Sequence, residues 1–138
     1  MPRTAQVSLT FDGGSRGNPG PAYGTYLIQA KSPPLPKRRL VRLTFEEGTN
    51  NEAEYWTLLA GLRDLLAELK AASLTPVQVD LSIRGDSQLV LQQIRGEWKA
   101  KDARMRGFRD EALELLASFG NVRLAHQPRS RSVRQLGH

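Results

Sequence analysis

The chain has 138 residues and no cysteine, which excludes a disulfide framework and any thiolate metal site. It also lacks an apolar run of signal-peptide or bilayer-spanning length, so a cytoplasmic protein with no membrane partner is expected. No internal repeat or low-complexity tract divides it. A chain of this length can bury one sizeable core but not two, so residues 1–138 read as a single domain. Acids are missing from the end: none follows Glu114, and the stretch from Gln127 carries Arg129, Arg131 and Arg134 uncompensated. Residues 127–138 therefore read as a basic tail.

Positive charge is what the chain has in excess. Its net charge is +6 and its pI about 10.2, with 15 arginines to 5 lysines. Cations that neutralise phosphates gain affinity by releasing counterions, so a polyanionic partner is favoured. Charge alone leaves ribosomal, nuclease and membrane-surface classes open.

Val7, Leu9 and Phe11 alternate with Ser8, Thr10 and Asp12, the pattern of a strand, and the glycines and prolines from Gly13 to Pro21 read as the turn that ends it. Asp12 is then the strand's last side chain, with Gly13 and Gly14 leaving room for a ligand. Ala22 to Ala30 and Leu40 to Glu46 complete an antiparallel meander across the proline-rich turn Lys31 to Arg39. Thr49 or Asn50 caps a helix from Glu52 to about Ala71, where Tyr55, Leu58, Leu59, Leu62, Leu65, Leu66 and Leu69 share one face. Val77 to Arg84 alternates as a fourth strand, and Asp86-Ser87-Gln88 reads as the cap of a short helix from Leu89 to Arg95. After a charged loop from Gly96 to Arg104, a third helix runs from Met105 to Phe119, and Val122 to His126 is a fifth strand. The order β-β-β-α-β-α-α-β implies an α/β fold with a mixed sheet and helices packed on it.

Asp12, Glu54 and Asp86 all fall at element ends, where parallel strands could bring them to one edge of the sheet. Clustered carboxylates repel unless a cation neutralises them, and an all-oxygen donor set selects Mg²⁺ or Mn²⁺ over Zn²⁺. Taken singly, each has a plainer role: Glu54 as a first-turn acid and Asp86 as a helix cap.

Five motifs occur in series: Asp12 to Pro21 (DGGSRGNPGP), Thr49 to Glu54 (TNNEAE), Gly85 to Gln88 (GDSQ), Arg95 to Lys99 (RGEWK) and His126 to Arg129 (HQPR). Together they resemble the prokaryotic type 1 ribonuclease H family over nearly the whole chain. The resemblance implies a ribonuclease H-like fold, a five-stranded sheet of order 3-2-1-4-5 flanked by helices. It also implies an endoribonuclease that cuts the RNA strand of RNA-DNA hybrids by two-metal-ion hydrolysis, leaving 5′-phosphate and 3′-hydroxyl ends, and acting as a monomer. Asp12, Glu54 and Asp86 match the metal-binding carboxylates, which hold two Mg²⁺ or Mn²⁺ ions with substrate bound. His126 matches a histidine implied to assist proton movement or product release. Asn18, Asn50, Asn51 and Gln88 match positions that read 2′-hydroxyls and bases across the minor groove, a task suited to amides that both donate and accept. Thr49 matches a phosphate contact to the DNA strand. Gly13 and Ser15 of the first motif, and Trp98 of the fourth, complete the expected substrate surface.

Two departures stand out. Only Gly96 to Arg104 occupies the place of the family's basic helical protrusion, leaving Trp98, Lys99, Lys101 and Arg104 as a reduced grip. The family's fourth acid, about ten residues after the histidine, falls on Leu136, and the helix that carries it is not expected here. Either three carboxylates suffice or another group substitutes, the α-carboxylate of His138, two residues further on, being one candidate. A hybrid-binding module with impaired catalysis is the alternative function.

Overall fold

The computed structural model describes residues 5–31 and 33–137. Its elements are β1 (Ala5–Ser15), β2 (Gly20–Ala30), β3 (Arg39–Gly48), α1 (Asn50–Ala71), a 3-10 turn (Pro76–Gln78), β4 (Val79–Gly85), α2 (Gln88–Arg95), α3 (Ala103–Leu116), β5 (Asn121–His126) and α4 (Arg129–Leu136). They build one five-stranded sheet of order β3-β2-β1-β4-β5, antiparallel across the meander and parallel from β1 to β4 and β4 to β5. This is the expected topology.

The alternation along β1 sorts its side chains between two layers. Leu9 and Phe11, with Tyr26 and Ile28 from β2 and Leu81 and Ile83 from β4, meet the leucine face of α1 in the main core. The opposite face holds Thr10, Asp12 and, across the β1–β2 ladder, Leu27 and Thr25. All four are buried, so something must cover them. That cover is α4, which packs on β1 and β2.

The expectation of a basic tail without a helix is therefore corrected. Residues 129–136 form a helix because Ser132 and Leu136, four apart on one face, bury completely, while Gly137 ends it in the left-handed conformation at φ 74°. Arg38 and Arg42 at the β3 end of the sheet donate to the carbonyls of Gln135 and Leu136, at 3.3 Å each. Two guanidinium groups thus meet the negative end of the helix. At its start, the buried Gln127 side chain donates to Ser132 Oγ and Gln135 Oε1, at 2.9 Å each. His138 lies outside the described residues.

β1 also runs further than its glycines suggest. Its pairing with β2 continues to Ser15 opposite Ala22, placing Asp12 inside the ladder opposite Thr25 rather than at the strand end. Gly13 and Gly24 face each other there, and both lie beneath α1. A Cβ on Gly24 would stand 1.8 Å from Thr57 Oγ1, and one on Gly13 2.6 Å from the Ala53 carbonyl carbon. The glycines let the helix lie on the backbone of the strand pair. The space beside Gly13 is filled by α1 and that beside Gly14 by the Tyr23 ring, so neither leaves room for a ligand at its Cβ position.

Candidate active site

Three elements converge on the carboxylates. Asp12 comes from β1, and Asp86 from the residue after β4, whose last residue Gly85 pairs with Phe11. Glu54 comes from the first turns of α1, whose backbone lies against Gly13. The position of α1 follows from its start. Thr49 Oγ1 accepts from Glu52 N–H at 3.1 Å while Glu52 Oε1 accepts from Thr49 N–H at 2.9 Å, a reciprocal capping box. Asp86 does not cap α2. Ser87 does, with its hydroxyl accepting from Val90 N–H, which leaves the Asp86 carboxylate for other work.

Asp12 is only 7% exposed. Burial, then the neighbouring Asp86 charge and a hydrogen bond with that carboxyl, push its pKa up to about 6 against the pull of Arg129. Burial drives Glu54 up to about 7; a hydrogen bond from Ser87 opposes this, and the charges of Asp12 and Asp86 add to it. The Arg129 guanidinium lies 3.7 Å from Asp86 and provides the nearest positive charge.

The donor chemistry fits a hard divalent cation. Every donor is a carboxylate oxygen, and Glu54 Oε2 is buried with no hydrogen-bond partner, a state that costs free energy unless a cation or proton meets it. Among the described residues no group of three or more acidic, histidine or cysteine side chains is already gathered into a ligand sphere. The three acids feel one another's charge, and Asp12 and Asp86 also share a hydrogen bond.

Stability should consequently depend on pH. Both carboxyls have folded pKa values above their ordinary 3.8 and 4.5, so the proton-bound forms stabilise the fold. That contribution is complete below about pH 4 and is lost as pH rises through 6 to 7. In EDTA the urea midpoint is expected to fall between pH 5 and pH 8 by the equivalent of roughly 2–4 kcal/mol. Millimolar Mg²⁺ should restore it at pH 8 but not at pH 5. A midpoint that is flat with pH and indifferent to Mg²⁺ would refute the electrostatic account.

The amide residues gather beside the acids. Asn50 Oδ1 accepts from Ser15 N–H at 2.8 Å, and Asn18 Oδ1 accepts from Asn50 N–H at 2.9 Å, tying the loop after β1 to the start of α1. Asn18, Thr49, Asn50 and Asn51 line a cleft of about 560 Å³ together with Lys99 and Lys101. Gln88 is exposed at the start of α2, and His126 is exposed at the end of β5, opposite Gly85. Trp98 is 47% exposed and stands away from the core. Arg104 is not free for a nucleic acid: it pairs with Glu52 at 2.6 Å and lies over the Trp56 and Phe108 rings. A cavity of about 590 Å³ between β3, α1 and α3, lined by Phe45, Trp56 and Phe108, holds none of the three acids, and neither does the amide-lined cleft; the titratable groups, rather than volume, locate the site.

Two residues do more than their reading as part of a helix cap, Ser87, and of a basic tail, Arg129, foretold. Ser87 both caps α2 and hydrogen-bonds Glu54, and the Asp-Ser pair was the available signal. Arg129 reaches Asp86 only because α4 folds back, which no local pattern announces.

Residues 42–134 match the reverse transcriptase-like family. The chain is 38% identical over 133 residues to ribonuclease HI of Halobacterium salinarum, covering 96% of this chain and 61% of that protein's length. The crystal structure of a ribonuclease H1 from the same archaeon superposes with a TM-score of 0.78 at 36% identity, covering 94% of this chain and 91% of that one. The LC11 ribonuclease H1, solved in complex with an RNA/DNA hybrid, gives 0.80 at 27% identity, with 94% and 90% covered.

Proposed function

Because the chain belongs to the ribonuclease H family, we propose that it is an endoribonuclease hydrolysing the RNA strand of RNA-DNA hybrids, with Asp12, Glu54 and Asp86 as its metal-binding carboxylates. The observation that carries this reading is the convergence of three mutually repelling, largely buried acids beside an amide-lined cleft on a chain of net charge +6. The hybrid seen with the LC11 enzyme supports the substrate class.

In this proposal the protein's own groups divide the work. Asp12, Glu54 and Asp86 hold Mg²⁺ or Mn²⁺, two ions with substrate bound. When bound, such ions supply positive charge at the scissile phosphate and a more acidic attacking water. Asn18, Asn50, Asn51 and Gln88 address the minor groove, where the 2′-hydroxyl separates RNA from DNA. Asn50 can do so with its amide N–H groups, because its oxygen is held by Ser15. Thr49, whose hydroxyl is committed to capping, acts by fixing α1; Lys99 and Lys101 supply cations to the cleft. His126 stands free at the rim to move a proton or help product leave. Products carry 5′-phosphate and 3′-hydroxyl ends, and the protein works as a cytoplasmic monomer.

A labelled hybrid incubated with Mg²⁺, Mn²⁺ or EDTA, alongside RNA-RNA and DNA-DNA duplexes, tests this directly. A single 2′-deoxy unit at the scissile position should stop cleavage there, and Asn50→Ala should weaken hybrid cleavage roughly tenfold, the equivalent of one hydrogen bond. Equal cutting of all three duplexes would overturn the substrate reading. The alternative, a module that binds hybrids and turns them over poorly, draws on one feature: α4 brings Arg129 and no acid to the carboxylates. It predicts hybrid binding in Mg²⁺ without product.

A further inference from the structure

The sheet face that α4 covers is only partly covered. Behind the row Leu27–Thr10–Arg84–Ala125, the cross-strand register sets Gln29, Ser8, Ser82 and Arg123 in the next row and Gln6, Asp80 and Asn121 in the one after. Neither row contains a large apolar side chain. All of these residues but Asn121 line the floor of a polar trough of about 370 Å³, closed at the β2 end by Lys31 and Lys37. Four cations, Lys31, Lys37, Arg84 and Arg123, thus face one acid, Asp80. Among the described residues no ion pair or side-chain hydrogen bond engages any of the four.

Like charges on neighbouring strands destabilise a sheet, and a merely solvated face gains nothing from gathering them. The trough also has a direction. Arg84 lies two residues before Asp86 on the same chain, and Ser8 lies four before Asp12, roughly 13 Å along an extended strand. A nucleic-acid strand leaving the carboxylates along β4 and β5 would pass Arg84 and then Arg123. The lining has hydroxyls, amides and cations but no aromatic ring, which suits a sugar-phosphate backbone rather than stacked bases.

We propose that this trough is a second nucleic-acid site that holds the phosphates of a single strand running on from the cleaved hybrid. The proposal rests on the hybrid-nuclease reading for the identity of its ligand. It binds without regard to sequence, and RNA and DNA single strands are both accommodated because only phosphates are engaged.

The test compares wild type with Lys37→Glu, Arg123→Glu and the double variant, using Lys70→Glu, an equal charge change on an exposed position of α1, as control. Three probes are titrated: a short blunt RNA-DNA hybrid, the same hybrid with a twelve-nucleotide single-stranded extension of RNA or of DNA, and the extension strand alone. The double variant is expected to bind the extended hybrid and the free strand about tenfold more weakly near 0.1 M salt, with a shallower salt dependence, and to cut the blunt hybrid as wild type does. Lys70→Glu should change all probes alike and little. Unchanged affinity for both extended hybrid and free strand would overturn the proposal, as would an equal loss on the blunt hybrid, which would make the trough part of the main cleft. Absence of any hybrid cleavage by wild type would instead count against the nuclease reading, while the free strand still decides the trough.

Discussion

Asp12→Asn is expected to lower hybrid cleavage by roughly a thousandfold or more while raising the stability of the metal-free protein. Both effects have one origin. Asp12 sits nearly buried inside the β1–β2 ladder with a carboxyl pKa pushed up to about 6, chiefly by burial and then by Asp86. At pH 8 the ionised form is repelled by its neighbours, and that repulsion is what a divalent cation relieves. The neutral amide removes the repulsion and the ligand together. Thermal unfolding in EDTA at pH 8 should show a midpoint raised by the equivalent of about 1–2 kcal/mol, and Mg²⁺ should stabilise the variant less than wild type. Inactive but more stable is a combination that misfolding cannot produce. Wild-type activity in Asp12→Asn would remove the carboxylate triad from the mechanism.

Leu136→Asp carries the largest expected effect on the fold. Counting from His126 places the family's fourth acid here, and by that logic the substitution would complete the site. The structure reverses the expectation, because Leu136 is fully buried in the last turn of α4. An aspartate there loses the leucine's packing, about 2–5 kcal/mol, and adds the cost of an unpaired buried carboxylate. Urea unfolding should therefore show a loss of at least about 4 kcal/mol, a large share of the 5–15 kcal/mol typical of such a domain. Leu136→Met, which keeps volume and apolarity, should cost little. An aspartate variant as stable as wild type would show that α4 does not dock as described.

Much of this was readable in the sequence because local pattern and tertiary role agreed. The leucine spacing of α1, the alternation of β1 and β4 and the proline break before β3 each have a single physical solution, and the sheet order followed. Where readings slipped, long-range packing had overruled local preference. Gly13 and Gly14 look like a turn, yet β2 pairs with them and α1 needs Gly13 bare. Val77 alternates with Val79 but belongs to a 3-10 turn started by Pro76. Residues 129–136 are polar and arginine-rich, and only two side chains, Ser132 and Leu136, carry the information that the segment docks. At the site, the three acids were legible as candidates, and the fold brings them within one another's field. Their environment was not legible, since burial, the Ser87 bond to Glu54 and the approach of Arg129 all depend on elements distant in the chain.

The grip of Arg38 and Arg42 on the carbonyls of Gln135 and Leu136 also sets an order in time. During synthesis the meander emerges first, and α4, the lid over Thr10 and Leu27, follows only after about eighty further residues. Until then a growing chain shows an uncovered patch of its central strands, a surface that invites wrong pairing with other chains. A contact spanning 97 residues also closes late in refolding, because distant contacts are reached only after the chain between them is ordered. Translation stalled before residue 129 would leave a polypeptide with all three acids made and the lid over its central strands missing.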